Sequence, residues 1–518
     1  MANFHKNLGS SFNLSALVGA NLRHSEDQST SASTNGGLAL TGVWALSNSV
    51  ATPNAPTEYD GVREVNGVYG SASLSYNDLL TLDGTLRRDA SSTLPQGHNA
   101  YYYPSAALGF VFSKLLQNAS WLSYGKLSAN YAEVGADAPV YSVYDTYTIL
   151  TPYSGNPVGS LKTTKNNPGL RPERTKSKEI NLEMAFLQNR LGLTASYYSS
   201  KTIDDILPVT VSASTGYSSE YQNAGSMTNK GVEIVLNGTP VRTKNVEWNI
   251  TLNWSQNKNK VVQLFTDGSG QEAKDLQLAS FPFGQTLNAP LGQPYGQIRG
   301  SDFIYTNGKP TVNAKGKYEV TSDVNENIGT IQPKWIGGIR NSVRVNDFTL
   351  SFLVDFKQGG NVFSLDQDFG QYDGLYPITA GNNAKGKPKR SSVANGGGVI
   401  LPGVTSDGKA NTVYISDGSA GAAYGFGAAP DKNFVYDASY IKLREAILSY
   451  SLPHKLLANT KSIKGVQLSL VGRNLWIIHK NLPFADPESG TSFGNVSGFQ
   501  SGAYPSTRDI SVNLKVNF

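Results

Sequence analysis

The sequence predicts an all-β fold, a transmembrane antiparallel β-barrel, and three observations carry that expectation. Segments of apolar–polar alternation recur along the whole chain. The joints between them alternate between short turns and long polar loops. Charged residues make up only 16%, against roughly 25% in ordinary soluble domains.

The alternation is clearest at the end of the chain. In Thr507–Phe518, Ile510, Val512, Leu514, Val516 and Phe518 fall on one face, and Ser511, Asn513, Lys515 and Asn517 on the other. Side chains alternate faces along a strand, so one face is apolar and one wet. Phe12-Leu14-Ala16-Val18-Ala20-Leu22, Trp248-Ile250-Leu252-Trp254 and Phe348-Leu350-Phe352-Val354-Phe356 follow the same rule. About fourteen such strands are expected, starting near residues 10, 67, 79, 104, 120, 177, 190, 229, 245, 335, 347, 439, 464 and 507.

The joints predict the two rims. Asn77-Asp78, Gln188-Asn189 and Asn346-Asp347 are tight turns, whereas the longest connections run roughly over 263–334 and 361–437. Every joint from an odd to an even strand is expected to be long. Short turns on one side and long loops on the other mark an outer-membrane barrel. Phe348 and Phe356 would span about 26 Å of strand, or roughly 20 Å when tilted, close to the apolar band of such barrels. In Tyr440–Leu452 the alternation slips: Ile441, Leu443 and Ile447 share one face, then Leu448, Tyr450 and Leu452 take over on the other. A β-bulge near Glu445 explains this, as does a strand whose lower half faces a filled lumen.

No apolar run reaches the 18 or more residues of a membrane helix, so a membrane position requires a closed barrel. The absence of cysteine excludes disulfides and zinc–thiolate sites. Net charge is +5, and the one dense basic run, Lys385–Arg390, reads as a solvated loop, so no nucleic-acid partner is expected. The five histidines show no metal-ligand spacing, and no HExxH, GxSxG or phosphate-binding loop occurs. Gly421–Gly427 reads as loop, and Asp204 and Asp205, adjacent on a strand, cannot converge on one substrate. No catalytic residue, cofactor or metal is expected, and the chain is read as a non-enzyme.

Aromatic and acidic residues in the loops are the candidate ligand contacts. Asp366, Asp368, Tyr372, Asp373 and Tyr376 cluster deep in one long loop, without the full spacing of a calcium loop. Tyr141, Tyr144 and Tyr147 form a second group. Tyr101-Tyr102-Tyr103 stands just before a strand and reads as part of an interfacial girdle.

Several segments, taken in order, resemble the SusC/RagA family of TonB-dependent transporters. They are Arg87–Ser92 with YYYPSAALGFVFSK (101–114), NNPGLRPERTKSKEINLEMAF (166–186), YYSSKTIDDIL (197–207) and NAGSMTNKGVEI (223–234). The series continues through 328–360, YIKLREAILSYSLP (440–453), GRNLWI (472–477), DPES (486–489) and the final STRDISVNLKVNF (506–518). The resemblance implies the last fourteen strands of a barrel of about twenty-two, with the signal, plug domain and first strands absent. Residues 1–518 would then be the C-terminal barrel part of an importer of oligosaccharides or peptides. The implied partners are a SusD-like surface lipoprotein, TonB through the missing N-terminal part, and outer-membrane lipid. An even strand count places both termini in the periplasm of a Gram-negative cell, and Phe518 resembles an assembly signal. The alternatives are a complete passive channel and a secreted all-β binding or adhesion protein.

Overall fold

The computed structural model describes the chain except residues 117, 267–269, 417–422, 458–461, 492–493 and 495, and the side chain of His454. Two residues of the glycine-rich stretch, 421 and 422, thus lie outside the described residues, and 423–427 are loop as expected. His454 opens a short helix, His454–Leu457.

One antiparallel sheet of fifteen strands forms the wall. Its first half is β1 (Ala2–Leu8), β2 (Phe12–Ser31), β3 (Thr57–Tyr76), β4 (Leu80–Ser91), β5 (Ala100–Phe110), β6 (Leu122–Ala136), β7 (Glu173–Phe186) and β8 (Leu191–Ile203). The second is β9 (Ser226–Arg242), β10 (Val246–Gln263), β11 (Pro333–Val345), β12 (Phe348–Gly359), β13 (Tyr440–Ser451), β14 (Gly465–Lys480) and β15 (Asp509–Asn517). Spatial order follows chain order, with β1 and β15 at the two ends.

Each of the fourteen expected strands is present, and the strand not foreseen is β1. It folds back on β2 with Ala2 opposite Val18 and Leu8 opposite Phe12. Met1 therefore lies beside the middle of β2, while Asn517 pairs with Gly465 at the short-turn rim. The two ends do not share a rim, as an even count had required. β3 also starts earlier than expected, at Thr57.

Seven short connections (9–11, 77–79, 111–121, 187–190, 243–245, 346–347 and 452–464) lie on one rim. The other rim carries 32–56, 92–99, 137–172, 204–225, 264–332, 360–439 and 481–508. Segment 92–99 departs from the expected rule, being shorter than 111–121 opposite. At Asn77-Asp78 and Asn346 the turns use positive φ, which Asn and Asp tolerate better than other side chains.

Register sorts the two faces of the wall. One row joins Leu14, Leu74, Leu82, Leu108, Ala129 and Ile180 across seven strands' worth of ladder from β2 to β7. Another joins Val343, Leu350, Leu448, Leu470 and Val512 from β11 to β15. Leu82, Leu108, Ile180, Leu350, Leu448, Leu470 and Val512 are all exposed. An apolar face of this extent needs a cover, and lipid supplies it for a barrel wall. Aromatic pairs mark its short-turn edge: Phe12–Tyr76 at 4.8 Å, Trp121–Phe186 at 5.9 Å and Phe348–Tyr450 at 4.7 Å between ring centroids.

The bulge near Glu445 is present. Leu353 pairs with Glu445 and Val354 with Leu443, leaving Arg444 outside the ladder. The extra residue lets Ile441 and Leu443 share the outer face with Ala446, Leu448 and Tyr450; Ile447 turns inward.

The long loops carry their own structure. A four-stranded meander fills much of 275–330. Strands 361–364, 435–437 and 499–500 tie two loops together, with Phe363 opposite Phe499. Leu287, Ile298, Ile328, Phe363, Phe434 and Phe499 form the core of this loop body. Phe499 is stacked between Phe281 at 4.3 Å and Phe363 at 5.4 Å.

Candidate functional site

The inner face of the wall, near the long-loop rim, gathers the charged side chains. Alternation puts Asp355 of β12 on the side away from Val354 and Phe356. Lys442 likewise lies opposite Ile441 and Leu443, and the bulge frees Arg444 to reach the same side. A bulge re-aims a side chain in this way.

Loop 481–508 supplies the counter-charges. Lys442 Nζ lies 2.6 Å from Asp486 Oδ1 and 2.5 Å from Glu488 Oε2. Arg444 donates through Nη1 to Glu488 Oε2 at 2.9 Å and through Nη2 to Glu488 Oε1 at 3.0 Å. Its Nε donates to Asp355 at 3.1 Å. This two-pronged geometry is the strong form of a guanidinium–carboxylate contact. Tyr440 donates to Glu488 at 2.9 Å, and Ser506 donates to Asp486 at 2.5 Å.

Burial works to raise the Glu488 carboxyl, but hydrogen bonds from Arg444 and Lys442 outweigh it and hold it down at about 2. Asp486 is lowered in the same way, burial opposing and Lys442 and Ser506 prevailing. Both carboxylates are therefore charged at neutral pH, and the cluster is a clasp between loop and wall. Beside it lies a cavity of about 260 Å³, lined by Lys357, Asn361 and Glu488 among others.

A second cavity, of about 890 Å³, opens on the same face between β2 and β6. Arg63 pairs there with Asp137 at 2.6 Å. Arg87 donates to Asp89 at 2.8 Å and to Asn21 at 2.9 Å. Tyr101 and Tyr103 line it, in edge contact at 4.8 Å. The girdle reading of Tyr101-Tyr102-Tyr103 thus holds only for Tyr102, which is exposed; strand alternation turns its neighbours inward. Arg87 and Asp89 belong to the Arg87–Ser92 segment, and Ser91 continues the network by donating to Asp137.

The candidate loop residues lie in and after α1 (Leu365–Tyr372), capped by Ser364. They do not converge. Asp366 accepts from Gln500 and from the Gly502 N–H at 2.7 Å. Tyr376 stacks on Phe484 at 4.8 Å. Asp368 is buried, and Asp373 is exposed. Tyr372 contacts Phe426 edge-on at 6.4 Å. Tyr141, Tyr144 and Tyr147 stand exposed in another loop. Asp204 meets Arg171 at 3.1 Å, while Asp205 is held up by burial beside Glu173; the adjacent pair diverges as expected.

The clasp residues escaped the sequence reading as a site. Their one signal was the slip in alternation at Tyr440–Leu452.

The family described as "TonB dependent receptor-like, beta-barrel" matches residues 2–475. The chain belongs to this family. It is the wall of an outer-membrane β-barrel of the TonB-dependent receptor kind, which sets aside the secreted alternative. TonB-dependent receptor P26 of Formosa agariphila is 28% identical over 515 residues, 92% of this chain and 48% of the relative. TonB-dependent receptor SusC of Bacteroides thetaiotaomicron is 24% identical over 461 residues, 84% and 42% respectively. The chain thus spans about half the length of the curated relatives it matches. The solved RagAB peptide transporter has the same fold, with a TM-score of 0.75 at 21% identity over 100% of this chain and 54% of that one. The SusC/RagA resemblance of the ordered motifs is borne out.

Proposed function

We propose that this TonB-dependent receptor wall serves an energised importer, taking up oligosaccharides or peptides through the outer membrane. In this reading residues 1–518 are the C-terminal barrel part of a longer chain. A plug preceding it couples to TonB, and a SusD-like surface lipoprotein covers the long-loop rim, which faces outward. The observation that carries the reading is the clasp: Asp486 and Glu488 of an outer loop are held on the inner wall by Lys442 and Arg444. A loop folded into the lumen obstructs free passage, which suits a gated importer better than a standing pore. The SusC and RagAB names of relatives support the two substrate classes and the partner. Phe518 would act as the assembly signal, and the exposed Tyr372, Asp373 and Tyr376 region would offer ligand contacts.

The test is uptake by cells carrying the full-length gene, supplied with labelled oligosaccharides or peptides. Uptake should stop when TonB is deleted or the proton gradient is collapsed. Uptake that continues unchanged without TonB would favour the passive channel.

A further inference from the structure

The loop body buries two carboxylates with no base to balance them. Asp368, in α1, is 4% exposed, and its Oδ1 has no hydrogen-bond partner among the described residues. Asp431 lies in the turn Asp431–Phe434, against which α1 packs. It accepts from the Ser301 N–H and hydroxyl, each at 2.8 Å, and from Gln285 Nε2 at 2.5 Å. Neither carboxylate forms an ion pair among the described residues.

Gln285 adds an acceptor. It is 2% exposed, and with its amide N–H committed to Asp431, its Oε1 is buried without a partner. Flipping the amide would set Oε1 against a carboxylate oxygen, so the orientation is fixed by Asp431. Ring contacts hold this segment on α1: Phe283 lies 5.2 Å from Phe369, and Phe281 stacks on Phe499. Burial first, and the Asp431 charge second, push the Asp368 carboxyl up to about 7, so the two acids act on each other.

The cluster therefore holds two negative charges and two orphaned oxygens, and no donor aimed at them. Buried polar atoms are seldom left so. A water can donate to two acceptors but leaves both charges uncompensated. A dication neutralises both, and an all-oxygen set without His or Cys suits a hard one.

We propose that Asp368, Gln285 and Asp431 form a Ca²⁺ site that locks the loop body. Water and nearby carbonyls would complete the six to eight oxygens such an ion takes. This site does not depend on the transport reading or on the substrate.

The full-length protein, purified in detergent and stripped with EDTA, should take up about one tightly bound Ca²⁺ at pH 7.5 by equilibrium dialysis with the metal alone. Ca²⁺ should also slow trypsin cleavage within 270–440 by at least about tenfold. Asp368→Asn should lose both responses while remaining folded, since it removes a buried charge. Retention of tight Ca²⁺ in Asp368→Asn would assign the ion to lipid or another surface and overturn the site. Should Asp368→Asn fail to fold, the wild type decides alone: no stoichiometric Ca²⁺ and no protection refute the proposal.

Discussion

Lys442 Nζ of β13 lies 2.6 Å from Asp486 Oδ1 of the 481–508 loop, and each side chain is 4% exposed. The two residues are joined across most of a strand, a turn and β14, and their contact pins an outer loop against the inner wall. Removing one partner of a buried pair leaves an uncompensated charge, at a cost of about 3–5 kcal/mol. Lys442→Met should therefore open the 481–508 loop, read as lost hydrogen-exchange protection there. Lys442→Met with Asp486→Leu should recover much of that protection, because Glu488 keeps Arg444. Equal exposure in single and double variants would show that the pair is not coupled.

The clasp should resist mild acid. An ordinary glutamate titrates near 4.3, and Glu488 is held at about 2 by Arg444 and Lys442 against its burial. Its folded pKa is depressed, so the stability it contributes is present above about 4.3 and is lost as pH falls through about 2. Protection of 481–508 should be level from pH 7 to 5 and decline between about 4 and 2. Glu488→Gln should flatten that decline, with Asp486 leaving a remainder. A loss already at pH 6 would place the controlling group elsewhere.

The parts of this arrangement that obey a local period were legible in the sequence. The two-residue repeat gave fourteen strands, and its failure at Tyr440–Leu452 located the bulge that frees Arg444. β1 was missed because Lys6 interrupts its apolar side and Gly9-Ser10-Ser11 did not read as a hairpin turn. The meeting of Lys442 with Asp486 follows no period, since a loop of irregular backbone brings it about. Likewise Asp368 stood out as acidic, but its neighbours Asp431 and Gln285 come from other stretches of the chain, placed by ring stacking in the loop body.

Phe518 extends the outer face of β15 beyond Val516 and is 76% exposed. It makes no packing contact that would account for an aromatic residue there, and recognition during assembly would account for it. In the full-length protein Phe518→Ala should lower the heat-modifiable, folded fraction in the outer membrane several-fold, while the purified folded variant keeps wild-type thermal stability. An unchanged folded fraction would remove this role.

The two faces of β14 should respond in opposite ways to one charge. Leu470 lies on the outer row between Leu448 and Val512, whereas Val471 faces inward between Ile447 and Ser511. Leu470 is five residues from the strand's short-turn end at Gly465, about 16 Å along the strand and roughly 12 Å in height after tilt, near the middle of an apolar band about 25 Å tall. An arginine at that depth on the lipid side costs about 2–4 kcal/mol. Leu470→Arg should therefore reduce folding into lipid vesicles by well over tenfold. Val471→Arg places the same charge where water and the Glu445 carboxylate of the inner wall can receive it, so its folding yield should stay close to wild type. The reverse ranking would mean that the inner and outer faces have been exchanged, and with them the assignment of Lys442 and Arg444 to the lumen.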